Sequence, residues 1–305
     1  MPHVEPSSNI GTVICASRRY IDVKIPPDTF VAAIAESKAL DIVAGDHIEY
    51  DRMNGQYVVK KVLPRKNCLM RCYRKAEKKL AANLDLALVV CAMYPLFNTA
   101  FIDRIIVAAT AENIDFALIV NKEDLDNSET QEFLKIYRDL GIKMMLVSAL
   151  TGNGMQQIYD LTQQAELKII TLAGVSGVGK STILNKLVPM AGSKTKDVSV
   201  RTGQGRQTTS QSYAHTLKRE NKEDLLIIDL PGLSNFGLTH IHRESVKLYF
   251  KEFLNFQEKC QYNDCFHLRE PNCAVKDAVA SKEISQSRYQ SYIEIIEEID
   301  EAKEY

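Results

Sequence analysis

The stretch Gly174-Val175-Ser176-Gly177-Val178-Gly179-Lys180-Ser181, followed by Thr182, decides the fold, because it satisfies the pattern G-x-x-x-x-G-K-[ST] in full. Residues 167–173 ahead of it form a mostly apolar run that reads as a buried strand. Behind it, Ile183, Leu184 and Leu187 recur at helical spacing until Pro189 closes the pattern. In such a strand–loop–helix unit the glycines let backbone N–H groups converge on phosphate oxygens, and the helix N-terminus adds partial positive charge. Lys180 would bridge phosphates and the Ser181 hydroxyl would ligate Mg2+. An ordinary glycine turn is the alternative that the stretch alone leaves.

Outward from this loop, apolar runs at 84–91, 116–120, 144–147 and 225–228 alternate with helical patterns at 101–111 and 130–140. That rhythm predicts an α/β domain with a mostly parallel sheet. Each remaining polar motif lies just beyond one of these strands: Asn121-Lys122-Glu123-Asp124, Ser148-Ala149, and Asp229-Leu230-Pro231-Gly232. In open α/β sheets the carboxyl edge of the strands is where ligands bind.

The motifs suit a guanine nucleotide. Asp124 can accept hydrogen bonds from the N1–H and exocyclic amine of guanine, which adenine does not offer. Bonds to a charged acceptor contribute on the order of 1.5 to 3 kcal/mol each, so the pair discriminates strongly. Asn121 and the Lys122 stem would support the base, and the Ala149 N–H would meet guanine O6. Asp229 is expected to hold Mg2+ through water, and the Gly232 N–H to sense the γ-phosphate. A polar segment at 193–212 reads as a mobile loop; from it Thr209, with Thr208 as the alternative register, would close over Mg2+. Turn chemistry is the other reading of those threonines.

Ordinary GTPases run phosphate loop, switch threonine, D-x-x-G, N-K-x-D, Ser-Ala. Here the last two come first. A circular permutation keeps every strand in place and relocates only the termini, so the sheet still closes.

Two further regions flank this domain. Between residues 11 and 63, five short β-branched segments alternate with turns, which predicts a small antiparallel barrel. An OB-type barrel has that strand count; the pattern alone leaves an SH3-like barrel open. A basic stretch follows, with Lys60, Lys61, Arg65, Lys66, Arg71, Arg74, Lys75, Lys78 and Lys79, read either as phosphate-backbone contact or as a solvated linker. Near the other end, Cys260, Cys265, His267 and Cys273 supply three thiolates and an imidazole. That is a complete tetrahedral zinc set with no open position, so the site should be structural. Its spacing is not that of a common finger, and free thiols with an incidental histidine stay open. The final helical pattern puts Tyr289, Tyr292, Ile293, Ile296 and Ile299 on one face, read as packing.

The 305 residues carry a net charge of −1, which excludes a uniformly basic nucleic-acid coat. The seven cysteines are odd in number and unevenly spread, unlike a secreted disulfide framework. No signal-peptide core opens the chain and no apolar run is long enough for a bilayer, so a cytoplasmic protein without membrane contact is expected.

Barrel, permuted GTPase motifs and the Cys/His cluster, followed by Arg288-Tyr289-x-Ser291-Tyr292, together resemble the small-ribosomal-subunit biogenesis GTPase family, RsgA or YjeQ. The resemblance covers nearly the whole chain. It implies an OB-type RNA-binding barrel with basic linker at 1–75, a permuted P-loop GTPase domain at 76–240 and an α-helical zinc module at 241–305. It further implies a monomeric bacterial enzyme that binds the 30S subunit and 16S rRNA and hydrolyses GTP to GDP faster on the subunit, with Mg2+ and one structural Zn2+.

There are departures. Gln207 stands where the family loop carries a histidine, and Leu233 stands where many GTPases orient water with glutamine. Catalysis is therefore expected from Lys180, Mg2+ and backbone N–H groups, with Thr209 closing the site and Gln207 or the ribosome placing the water. A permuted GTPase for another ribosomal or RNA target is one alternative, and an RNA-binding scaffold with a passive GTP switch is another. Asn121 and Asp124 argue against a metabolic P-loop kinase.

Overall fold

The computed structural model describes residues 9–17, 20–73, 76–94, 98–125, 128–189, 211–233 and 236–304. Gln207, Thr208 and Thr209, with Arg74 and Lys75, lie outside them.

Strands β1 (Ile10–Ala16), β2 (Ile21–Ile25), β3 (Thr29–Ala35), β4 (His47–Met53) and β5 (Gln56–Val62) close into a barrel in the order β1-β2-β3-β5-β4. β3 runs parallel to β5 and the other pairs are antiparallel. Five strands closed in this order make an OB-type barrel. Alternation along β2, buried at Ile21, Val23 and Ile25 and half-buried between them, fills its interior.

The basic stretch does not run on as a linker. Lys60 and Lys61 lie on β5, and beyond Lys66 the stretch enters an antiparallel hairpin of β6 (Cys68–Tyr73) and β7 (Ala76–Ala82). Much of its charge is matched inside the molecule: Lys60 pairs with Glu36, Arg65 with the fully buried Asp46, Lys66 with Asp85 and Lys79 with Asp41. Lys61 and Lys78 are exposed.

The central sheet has the order β10-β9-β8-β11-β13-β12. Its strands are β8 (Leu86–Ala92), β9 (Asp115–Asn121), β10 (Met144–Leu146), β11 (Ile169–Ala173), β12 (Tyr213–Leu217) and β13 (Leu225–Asp229). All neighbours are parallel except the edge pair β12–β13. Every residue of β8, β11 and β13 is buried, which explains their unbroken apolar sequences: a central parallel strand is covered on both faces. Each large aliphatic side chain so buried stabilises the fold by about 1.5–3 kcal/mol, which places these three strands at the centre. Helices α1 (Thr99–Ala111), α2 (Ser128–Asp139), α3 (Met155–Thr162) and α4 (Lys180–Leu187) connect them. Asn98 caps α1 by accepting the Phe101 N–H at 2.9 Å.

The barrel docks on the β12–β13 edge. Lys24 reaches Asp224 at 2.7 Å, Lys218 pairs with both Asp28 and Asp224, and the Cys15 thiol donates to Gln211 Oε1. On the other side, the terminal helix (Gln286–Glu304) packs against α1. A buried network ties the two: Arg288 donates to Asp103 Oδ1 at 2.7 Å and to both Glu252 oxygens, while the Tyr137 hydroxyl donates to Asp103 Oδ1. Among the described residues no helix is long and apolar enough to cross a membrane.

Candidate nucleotide site and metal cluster

The phosphate loop leaves β11 and enters α4, with Gly177 at φ 84° and Gly179 at φ 96°, backbone that glycine adopts without strain. A Cβ on Gly179 would fall on the Asn121 amide, and one on Gly174 on the Val90 carbonyl oxygen. Val178 is buried, whereas Ser176, Gly177, Ser181 and Thr182 are exposed. Lys180 is buried and donates to Gly174 O at 2.9 Å and to Val175 O at 3.0 Å, so its ammonium spans the hollow of the loop. Burial lowers its pKa and the nearby Asp229 opposes that shift.

At the base end, Asn121 is the last residue of β9 and is buried. Its Nδ2 donates to Val178 O at 2.8 Å and its Oδ1 accepts the Ala149 N–H at 2.9 Å, so one side chain joins three separated segments. Lys122 takes the left-handed φ of 61°, which turns the chain so that Glu123 N–H reaches Val147 O. The Glu123 carboxylate then accepts from Asn153 Nδ2, and the buried Ser148 hydroxyl accepts the Thr151 N–H. Asp124 is exposed beside this rigid pair of turns. The Ala149 N–H, expected free for a base, is engaged by Asn121; meeting guanine O6 requires that bond to be shared or exchanged. Sequence reasoning did not foresee Asn121 as a rivet to the phosphate loop.

At the opposite end, Asp229 closes β13, and its Oδ1 is buried with no hydrogen-bond partner among the described residues. Burial pushes its carboxyl up to about 6, against the pull of Lys180. Gly232 lies against the phosphate loop, where an added Cβ would stand 3.4 Å from Ser176 Cβ. Leu233 is fully buried in the main core, so the position where other GTPases place a glutamine faces no solvent.

Cys260, Cys265, His267 and Cys273 converge, their donor atoms all within 4.8 Å of one another. His267 Nδ1 lies 3.3 Å from the Cys273 sulfur and 3.6 Å from that of Cys260, and the two sulfurs are 3.9 Å apart. Tetrahedral coordination with metal–sulfur bonds of about 2.3 Å puts neighbouring donors roughly 3.4–3.8 Å apart, so the residues fit a metal ion. Burial pushes the Cys265 thiol up to about 12 and lowers the His267 imidazole to about 4. His267 has a left-handed φ of 59°, and the carbonyls on either side of its Cα are held by the terminal helix. The Tyr292 hydroxyl donates to Phe266 O and that of Tyr289 to His267 O, each at 2.6 Å. The tyrosines read as packing from their spacing thus also orient a residue that could hold a metal.

A phosphate loop at the carboxyl edge of a parallel sheet, with the N-K-x-D and Ser-Ala turns supplied by strands earlier in the chain, defines a circularly permuted GTPase. The model of the RsgA GTPase family matches residues 62–239. The small ribosomal subunit biogenesis GTPase RsgA of Actinobacillus succinogenes is 34% identical over 96% of this chain and 85% of its own. The protein of the same name from Chlorobaculum parvum is 34% identical over 91% of this chain and 92% of its own. Among solved structures, YjeQ from Thermotoga maritima superposes with a TM-score of 0.72 at 30% identity, covering 95% of this chain and 98% of that one. YloQ, a circularly permuted GTPase, shares the fold with a TM-score of 0.67 at 24% identity, covering 99% of this chain and 98% of that one. The chain belongs to the RsgA GTPase family and is a GTP hydrolase.

Proposed function

We propose that this protein acts in maturation of the 30S ribosomal subunit in the cytoplasm, binding the subunit and its 16S rRNA and hydrolysing GTP at a rate the subunit raises. The observation that carries the site assignment is Asn121, whose two hydrogen bonds join the base-recognition turns to the phosphate loop. The names of the relatives support the ribosomal target.

Asp124 reads the guanine edge, with Asn121, the Lys122 stem, Glu123, Ser148 and Ala149 shaping its pocket. N–H groups of residues 174–182 hold the phosphates. Lys180 leaves the Gly174 and Val175 carbonyls to neutralise phosphate charge, and the Gly232 N–H bonds the γ-phosphate. Ser181, Asp229 and Thr209 would hold Mg2+, which supplies further charge neutralisation on the β- and γ-phosphates. Leu233 is buried and cannot orient water, so that task falls to Gln207 or to the ribosome. Slow turnover of the free protein follows. Cys260, Cys265, His267 and Cys273 hold a structural zinc that shapes the C-terminal module, and the OB-type barrel offers the RNA-binding face.

GTP hydrolysis measured without subunits, with 30S and with 50S, for wild type and Lys180→Ala, tests this reading. Stimulation of the wild type by 30S alone is expected. Equal single-turnover rates with and without 30S would remove the activation, and stimulation by 50S would redirect the target. Elemental analysis of the purified protein should find one zinc per chain, lost in Cys273→Ser.

A further inference from the structure

Four backbone groups around His267 are held by three side chains. Glu270 accepts the Phe266 N–H on Oε1 at 2.7 Å and the Leu268 N–H on Oε2 at 2.9 Å. The Phe266 and His267 carbonyls between those amides accept the Tyr292 and Tyr289 hydroxyls. Glu270 is itself fastened, since Lys276 Nζ donates to its backbone carbonyl at 2.9 Å. The segment needs this support, because at φ 59° the His267 side chain crowds its own backbone and an unconstrained chain rarely stays there. Its ring lacks the usual help. Metal-bound histidines are ordinarily oriented by a hydrogen bond on the second ring nitrogen, yet His267 Nε2 is buried with no partner among the described residues, while Nδ1 faces the Cys260 and Cys273 sulfurs. Orientation falls to the backbone that carries the ring and to Phe253, packed edge-on with ring centroids 5.8 Å apart.

We infer that Glu270 is a positioning residue for His267 and, with Tyr289 and Tyr292, sets how tightly the quartet of Cys260, Cys265, His267 and Cys273 holds zinc, given the reading of that quartet as the zinc site. Without the clamp, residue 267 relaxes to right-handed or extended backbone and carries Nδ1 away from the sulfurs, so metal binding has to restore the strained conformation. With it, the ligand is already aimed. One carboxylate suits the task because its two oxygens reach amides on both sides of the ligand. The tyrosines tie the same residue to the terminal helix, so zinc retention depends on the packing of Gln286–Glu304 as well as on the loop.

Zinc affinity of the full-length protein, measured by competition with a chromophoric chelator, tests this. Glu270→Ala should weaken zinc by about tenfold to a hundredfold, the range found when partners of metal ligands are removed. Tyr289→Phe and Tyr292→Phe each delete one hydroxyl and leave the ring packed; each should weaken zinc about fivefold. The discriminating measurement repeats Glu270→Ala in a His267→Ala background, where three thiolates remain and no imidazole needs aiming. There the added loss should stay within about twofold, whereas a residue that merely supports the module would cost the same factor in both backgrounds. Equal losses in the two backgrounds therefore overturn the inference, as does unaltered zinc affinity in Glu270→Ala. Should Glu270→Ala fail to fold, the tyrosine variants decide, and unaltered affinity in Tyr289→Phe/Tyr292→Phe together overturns it. A wild type that binds no zinc removes the zinc reading and the inference with it; a wild type that binds zinc no better than Glu270→Ala removes the inference alone.

Discussion

The two ends of the nucleotide site are held by different parts of the molecule. At the base end the recognition turns are bonded to one another and to the phosphate loop, through Asn121, Ser148 and Glu123. At the other end Leu233 N–H bonds back to Gly174 O, and the chain farther out is bonded outward: Gln211 and β12 to the barrel, Gly237 to β6, and Leu238 to the terminal helix. The turns proposed to read the base are thus fastened to the phosphate loop itself, while the chain on either side of Asp229–Gly232 is also tied to the barrel, to β6 and to the terminal helix. The permutation makes this arrangement available, because it places the barrel before the base-binding strands and the Cys/His module directly after the D-x-x-G segment.

The sharpest way to break the comparison is at the base. Asp124→Asn should move preference from guanine to xanthine nucleotides by about two to four decades, since two charge-assisted bonds are exchanged. Competition between GDP and XDP reads it, and both the diphosphate and the triphosphate should shift equally. Asn121→Ala comes next. It leaves Val178 O and the Ala149 N–H without their partner, which should cost about 2 kcal/mol of stability in the nucleotide-free protein and weaken GDP and GTP by one common factor of roughly thirty. Unequal losses, measured by titration calorimetry, would mean that Asn121 also serves the γ-phosphate end.

Asp229 gives a pH-dependent effect of comparable size at the other end. Its carboxyl is raised to about 6 by burial, above the roughly 3.9 of a free side chain. The folded protein therefore keeps this proton where the unfolded chain has lost it, and the group's stabilising contribution declines as pH rises from about 4 to about 6. In nucleotide- and Mg2+-free protein that decline should amount to about 2–3 kcal/mol. Asp229→Asn should abolish it and unfold at higher urea concentration than wild type at pH 7.5, with GTP turnover lost. A wild type and variant with parallel stability profiles between pH 4 and 7 would contradict the assignment. The smallest effect belongs to the barrel contact: Lys24→Ala removes a partly buried pair with Asp224, which keeps Lys218 as a partner, and should change stability by less than about 1 kcal/mol in thermal unfolding.

Much of this was legible in the primary structure. The barrel segments read from alternation, and the apolar runs of β8, β9, β11 and β13, appear where expected because burial on one or two faces imposes its period on composition. The β6–β7 hairpin was not legible: Arg71, Lys78 and Lys79 mask its strands, and pairing such as Arg71 with Lys78 exists only once the chain folds back. The antiparallel edge strand β12 was missed for a related reason, since it is short and takes its partner from β13. Glu298, which accepts the Leu238 N–H, carries no local signal, being an ordinary charge on a helix.

The sequence by itself determined the family-level chemistry: a phosphate loop, the N-K-x-D and D-x-x-G segments, a Cys/His quartet that could hold a metal, and the permuted order that joins them. Those rest on residue types at short spacing, which local geometry converts directly into function. Only the tertiary structure decided which groups hold one another. Lys60, Arg65, Lys66 and Lys79 are matched by acids, Asn121 spans from β9 to the phosphate loop, and Glu298 grips Leu238. Each of these contacts joins residues remote in the chain, and their formation depends on the packing of whole elements, which no short segment encodes.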